Sequence, residues 1–286
     1  MKKLLRIISI LVILAAAAVL IFLPRDRIAL SKDGVKIHYS VYGRGEPALV
    51  FVHGWCGSRA VWYKQIPYFA KKYKVVALDL AGYGRSGCQR KAYTQEAFGE
   101  DVAAVVNAEK ADKVILIGHS MSGTIILEAN RLLKGRVAGL IAIDTLENFE
   151  DFPATPEQFK QYIDPLKEDF VKNSAPFMRG MFNKNADPKL IKRVIRNVSR
   201  CNPAIAISTI ECYFNTPIPP LLADVKAPLW CLNSDMWTNY PDINSKYLKS
   251  YHLRVMRGVG HFLMVEEPDE FNRQLEDIIN RIKTKD

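Results

Sequence analysis

Residues 35–42 alternate apolar and polar side chains, with Val35, Ile37, Tyr39 and Val41 set against Lys36, His38 and Ser40. That period of two predicts a strand with one buried face, with His38 on its polar side. Asp33-Gly34, between this run and residues 27–30, predicts a hairpin. Further along, the apolar runs stop alternating and become continuous, at residues 48–52, 74–80, 114–117, 137–143, 228–232 and 253–256. Stretches with helical spacing separate several of them, at residues 62–69, 93–109 and 124–133. A last helix follows Pro268, with Phe271, Leu275, Ile278, Ile279 and Ile282 forming its apolar stripe. Strands alternating with helices, and apolar on both faces, predict an α/β fold: a mostly parallel central sheet with helices on both faces.

The rhythm breaks between about residues 146 and 220. This stretch lacks strong strands and carries Phe149, Phe152, Phe159, Tyr162, Phe170, Phe177, Phe182, Tyr213 and Phe214. Helical spacing and start signals such as Asp187-Pro188 predict several short helices, an insertion closed by Pro217 and Pro219-Pro220. Its aromatics read mainly as a small core of its own, with a subset lining an apolar pocket.

The amino terminus reads differently from the rest. Lys2, Lys3 and Arg6 precede an apolar run at residues 7–23 whose only polar side chain is Ser9. Its length sits between a signal-peptide core and a spanning helix, so residues 1–26 are expected to be an uncleaved membrane anchor or a signal segment. Ala16 and Ala18 fit a cleavage spacing, but cleavage there would leave residues 20–23 as an apolar start to the mature chain. Positive charge ahead of the run predicts a domain, residues 27–286, outside the cytoplasm: anchored, or secreted if the segment is removed.

Composition narrows this further. With 286 residues and 49% hydrophobic content the chain can bury a sizeable core. The formal charge is +10, of which residues 1–27 hold +4. The remainder is mildly basic, without the dense stripe or motif that nucleic-acid binding would need. The five cysteines show no C-x-x-C spacing, which argues against zinc and thioredoxin-like chemistry. Cys201 and Cys212 could form a bridge in an oxidising compartment.

The chemistry centres on residues 113–133. An apolar run stops at Gly118, a serine stands at 120 between small residues, and a helical pattern begins at once. A nucleophile elbow needs that order: strand, sharp turn with the serine at its tip, helix. The helix N-terminus would supply unpaired N–H groups where an oxyanion forms. Gly-His-Ser-Met-Ser-Gly, residues 118–123, resembles the elbow of the α/β-hydrolase superfamily, with Ser122 where the second glycine usually stands. A serine hydroxyl needs a base, and the base needs an orienting acid. Only His252 and His261 follow Ser120, and His261 lies in the glycine-rich loop after the last strand, where parallel sheets place their sites.

The resemblance covers nearly all of the chain after residue 30 and supplies the remaining roles. It implies Asp235, just past an apolar strand, as the acid; Asp144, after the preceding strand, is the alternative that some relatives use. His53-Gly54-Trp55 resembles the family's H-G-x motif, which implies the backbone N–H of Trp55, with that of Met121, as the oxyanion hole. His53 itself reads as structural, fixing the loop through its ring nitrogens. Asp79-Leu-Ala-Gly-Tyr-Gly-Arg-Ser86 is similar to a family loop that packs beside the elbow. The family's epoxide and haloalkane hydrolases carry aspartate at the elbow, so Ser120 points elsewhere: to an ester or related carbonyl bond of a small, apolar substrate, with no cofactor or metal required. Carbon–carbon, lactone or amide hydrolysis, perhydrolysis, and a ligand-receptor role with an intact triad remain open.

Overall fold

Eight strands form one sheet in the order β1-β2-β4-β3-β5-β6-β7-β8. The computed structural model describes residues 24–150 and 155–284. β1 (Arg25–Leu30), β2 (Lys36–Tyr42) and β4 (Val75–Leu78) pair antiparallel. β3 (Ala48–Val52), β5 (Val114–His119), β6 (Val137–Ile143), β7 (Leu229–Ser234) and β8 (Tyr251–Met256) run parallel, with β3 also parallel to β4. Every residue of β3, β4 and β5 is buried, the reason those runs are apolar throughout rather than alternating. The Asp33-Gly34 hairpin forms between β1 and β2, with Gly34 at φ +82°.

A 3₁₀ turn (Arg59–Trp62) and α1 (Gln65–Phe69) follow β3. Next come α2 (Gln95–Ala108) between β4 and β5, and α3 (Ser122–Leu133) between β5 and β6. Thr94 caps α2, its hydroxyl oxygen accepting from Ala97 N at 3.1 Å. α9 (Pro241–Tyr247) precedes β8; α10 (Leu263–Glu266) and α11 (Pro268–Lys283) follow it. Phe271, Leu275, Ile278, Ile279 and Ile282 of α11 are all buried, as their spacing predicts. Burying each such side chain contributes about 1.5–3 kcal/mol, which explains how a helix so polar elsewhere stays docked.

Between β6 and β7 lie α4 (Pro156–Glu168), α5 (Phe170–Gly180), α6 (Pro188–Val198), α7 (Pro203–Phe214) and α8 (Pro219–Leu222). α4 opens on a capping box, Thr155 and Gln158 each bonding the other's backbone N–H. α6 starts at the Asp187-Pro188 signal, the Asp187 carboxylate accepting from Lys189 N. α6 has two unlike faces: Ile191, Val194 and Val198 are buried, while Lys189, Lys192, Arg193 and Arg196 are exposed. Phe152 lies outside the described residues, as does the apolar run at 7–23 to which the anchor or signal expectation belongs. Among the described residues no helix is long and apolar enough to cross a membrane.

Candidate active site

The loops at the carboxyl ends of β3, β5, β6 and β8 converge on one cavity of about 570 Å³, roofed by the helices between β6 and β7. β5 ends at His119, and Ser120 takes φ +57° before α3 begins at Ser122. A side chain rarely adopts that left-handed conformation, so its presence here marks a turn held by its surroundings. A Cβ on Gly118 would stand 2.4 Å from Ser122 O, which is why the residue before the end of the strand must be glycine. Ser120 N donates to Ile143 O at 2.9 Å, locking the turn to the end of β6. Ser122, in the place where family members usually have glycine, is fully buried and donates its hydroxyl to His53 O at 2.5 Å. The extra hydroxyl thus ties the elbow to the β3 loop.

His261 reaches the cavity from the loop after β8 and is 5% exposed. Its Nδ1 lies 2.7 Å from Asp144 Oδ2. This overturns the expectation that Asp235 serves the histidine. Asp235 is exposed and its Oδ1 accepts from Gly258 N at 2.9 Å, bracing the loop rather than the ring. The reason lies in the sheet order: β6 is the immediate neighbour of β5, whereas β7 is one strand further from the serine. Asp144 follows the last residue of β6 at φ +49°, a turn that swings its carboxylate toward His261, and Ser234 N donates to Oδ1 at 2.5 Å. Burial pushes the Asp144 carboxyl up, to about 7, and the His261 imidazole down, to about 3. The two are one hydrogen-bonded pair and titrate together. The direction that matters is the imidazole's: burial keeps it neutral, with Nδ1–H given to Asp144 and Nε2 left to accept a proton. The backbone of His261 is anchored too, its N–H donating to Met181 O at 2.7 Å just after α5.

Two backbone N–H groups stand beside the serine without a partner. Among the described residues neither Trp55 N nor Met121 N donates to the protein. His53 holds the Trp55 loop as a strut: Leu80 N donates to its Nε2 at 3.0 Å and its Nδ1 bonds Gly54 O at 2.8 Å. Burial keeps that ring neutral as well. Trp55 Nε1 donates to Ala206 O of α7 at 2.7 Å, joining the loop to the helical roof. The loop can lie this close to the elbow only because residue 54 is glycine; a Cβ there would stand 2.8 Å from His119 Nδ1 and 3.0 Å from Ser120 Cβ. Gly54→Ala therefore displaces the Trp55 amide; with that amide as the oxyanion donor the family resemblance implies, kcat is expected to fall by about 100-fold or more. Steady-state kinetics alongside a thermal melt would separate that loss from unfolding.

The cavity wall is largely aromatic and aliphatic, including Tyr162, Phe177, Val194, Tyr213, Phe214 and Trp237. Asp144 and Glu147 line it, and among the described residues neither lysine nor arginine does. Among the described residues no group of three or more His, Cys, Asp or Glu side chains could hold a metal ion. All five cysteines are free, so the Cys201–Cys212 bridge does not form; the Cys201 thiol instead points at Cys56 O, 3.6 Å away.

A family profile described as α/β hydrolase fold matches residues 47–209, more than half of the chain. The chain belongs to the α/β-hydrolase fold family and is a hydrolase. A Petunia hybrida protein named Karrikin insensitive 2 receptor CA is 25% identical over 243 residues, 80% of this chain and 90% of its own. The pimeloyl-(acyl-carrier protein) methyl ester esterase of Yersinia enterocolitica is 23% identical over 266 residues, 87% of this chain and 99% of its own. Among solved structures, a thermophilic esterase from Thermogutta terrifontis superposes with a TM-score of 0.76 at 20% identity, covering 90% of this chain and 99% of that one. A likeness at that identity carries the fold alone.

Proposed function

We propose that the chain is a serine esterase that cleaves a small, mostly apolar ester through an acyl-enzyme, with Ser120 as nucleophile, His261 as base and Asp144 as orienting acid. One observation carries this reading: His261, bonded through Nδ1 to a buried Asp144, opens on the same cavity as a serine held at the tip of a strand–helix turn. Asp144 fixes the tautomer that leaves Nε2 free. Nε2 takes the Ser120 proton as Oγ attacks the ester carbonyl. The developing oxyanion is received by the N–H groups of Trp55 and Met121. Collapse of the tetrahedral intermediate expels the alcohol, which takes its proton from the imidazolium. Water, deprotonated by the same Nε2, then attacks the acyl-enzyme and releases the acid. The esterase name of the Yersinia protein supports the ester as the bond cleaved.

A fluorophosphonate probe and p-nitrophenyl esters of rising acyl length test the proposal together. The expected result is a covalent adduct on the tryptic peptide holding Ser120, with sustained turnover and an acyl-length optimum set by the cavity. One turnover without acid release would favour a receptor role, as in the name of the Petunia relative. An unlabelled Ser120 with no turnover would remove the esterase reading.

A further inference from the structure

His119, the last residue of β5, stands directly before Ser120, yet its ring is turned to the base. Its Nε2 lies 2.9 Å from the carbonyl oxygen of His261. A carbonyl oxygen only accepts, so Nε2 carries the proton and the tautomer is fixed. The ring also packs against the His261 imidazole, with centroids 4.6 Å apart and planes tilted by 42°, and against Phe262 at 5.3 Å. Trp62 meets it edge-on at 6.4 Å. Gly54 makes room for it on the oxyanion loop, where a Cβ would stand 2.8 Å from His119 Nδ1. One side chain thus joins the strand end that carries the serine, the base and the loop of Trp55.

Packing alone does not call for a histidine here. Burying an imidazole costs stability unless its polar atoms are used, and an apolar side chain would fill the space without that cost. His119 is 2% exposed, and burial, reinforced by the neighbouring His261, pushes its imidazole well below the usual histidine range. A neutral ring leaves unopposed the positive charge that His261 acquires on taking the Ser120 proton. The peptide of His261 is then held at both ends, its N–H by Met181 O of the roof and its carbonyl by the residue that precedes the nucleophile. The first tether moves with the roof; the second moves with the elbow. Reacting atoms misplaced by about 1 Å can cost about 100-fold in rate, so the second tether is the one that keeps base and nucleophile in step. We infer that His119 is a positioning residue that sets the spacing between Ser120 and His261, acting through the carbonyl of the base. Its effect on turnover rests on the esterase reading above; its hold on His261 does not.

Three replacements in the full chain separate the hydrogen bond from the bulk of the ring. Glutamine places an N–H₂ where Nε2 stands, asparagine keeps the amide but stops short of the carbonyl, and phenylalanine keeps a ring without a donor. His119→Phe and His119→Asn are expected to lower kcat for p-nitrophenyl esters by about 100-fold with KM nearly unchanged, and His119→Gln to stay within about threefold of the parent. The second readout is proton NMR of the Nδ1–H that His261 gives to Asp144, which a short charge-assisted bond moves far downfield. That resonance should persist in His119→Gln and broaden or vanish in the other two. If phenylalanine does not fold there, the glutamine and asparagine variants decide. Unchanged kcat and resonance in the variants that cannot reach the carbonyl, or glutamine failing as badly as phenylalanine, overturns the inference. A loss carried by KM overturns it too, since it would report a disturbed pocket. If the unmutated enzyme hydrolyses nothing while the resonance still depends on the donor, the esterase reading falls and the positioning role stands.

Discussion

Asp144→Asn is expected to lower kcat/KM for ester hydrolysis by about 10⁴-fold, while Asp235→Asn stays close to the parent enzyme. The asparagine keeps the shape of the side chain but can turn its amide N–H₂ toward His261 Nδ1. The ring then settles in the tautomer that puts its proton on Nε2, where it cannot accept one from Ser120. The loss is chemical and not structural. Asp144 is a fully buried carboxyl whose ionisation burial opposes, so a neutral replacement should hold or slightly raise the melting temperature. Asp235 is exposed and accepts one hydrogen bond from Gly258 N, a loss the loop absorbs. Steady-state kinetics of both variants with thermal melts would check this. Full activity in Asp144→Asn together with collapse in Asp235→Asn would return the acid to β7.

Ser120→Ala and His261→Ala should each cost on the order of a millionfold in kcat, and the double variant should cost no more than either one. In the proposed mechanism the two side chains perform a single act, transfer of one proton while one bond forms, so removing either removes the whole. What survives comes from the Trp55 and Met121 amides and from substrate binding, and is expected to be about 10³–10⁴ over the reaction in water. Losses that multiplied in the double variant would mean that the serine and the histidine work in separate steps, and the acyl-enzyme route would have to be abandoned.

Much of this architecture was legible before any coordinates because it rests on local signals. Continuous apolar runs at β3, β5 and β6 mark strands covered on both faces, and glycine and serine spacing around residue 120 marks a turn with no room for larger side chains. The Asp187-Pro188 start of α6 and the buried stripe of α11 are local in the same way. The carboxylate partner of His261 was not legible, because Asp144 and Asp235 both follow buried strands. Which of them reaches His261 is decided by strand order and by the φ +49° turn at Asp144. Nothing in the neighbouring residues encodes either. α9 and α10, with seven and four residues, are too short for helical periodicity to declare itself. The Ser122 hydroxyl looked like a mere stand-in for glycine until its bond to His53 O was placed.

The hydrogen bond from His261 N to Met181 O has a consequence for protein engineering. Residues 155–222 look like a module that could be exchanged between relatives to transplant substrate preference, since they roof the cavity and lie between two neighbouring strands, β6 and β7. Yet the peptide unit of the histidine is fastened to that module, and Trp55 is fastened to it through Ala206 O. A chimera would inherit the donor's roof together with a new seat for the base and a new tether for an oxyanion amide. Preference and turnover rate would therefore change together, and a graft meant to alter only the first must carry over residues 181 and 206 in their original positions.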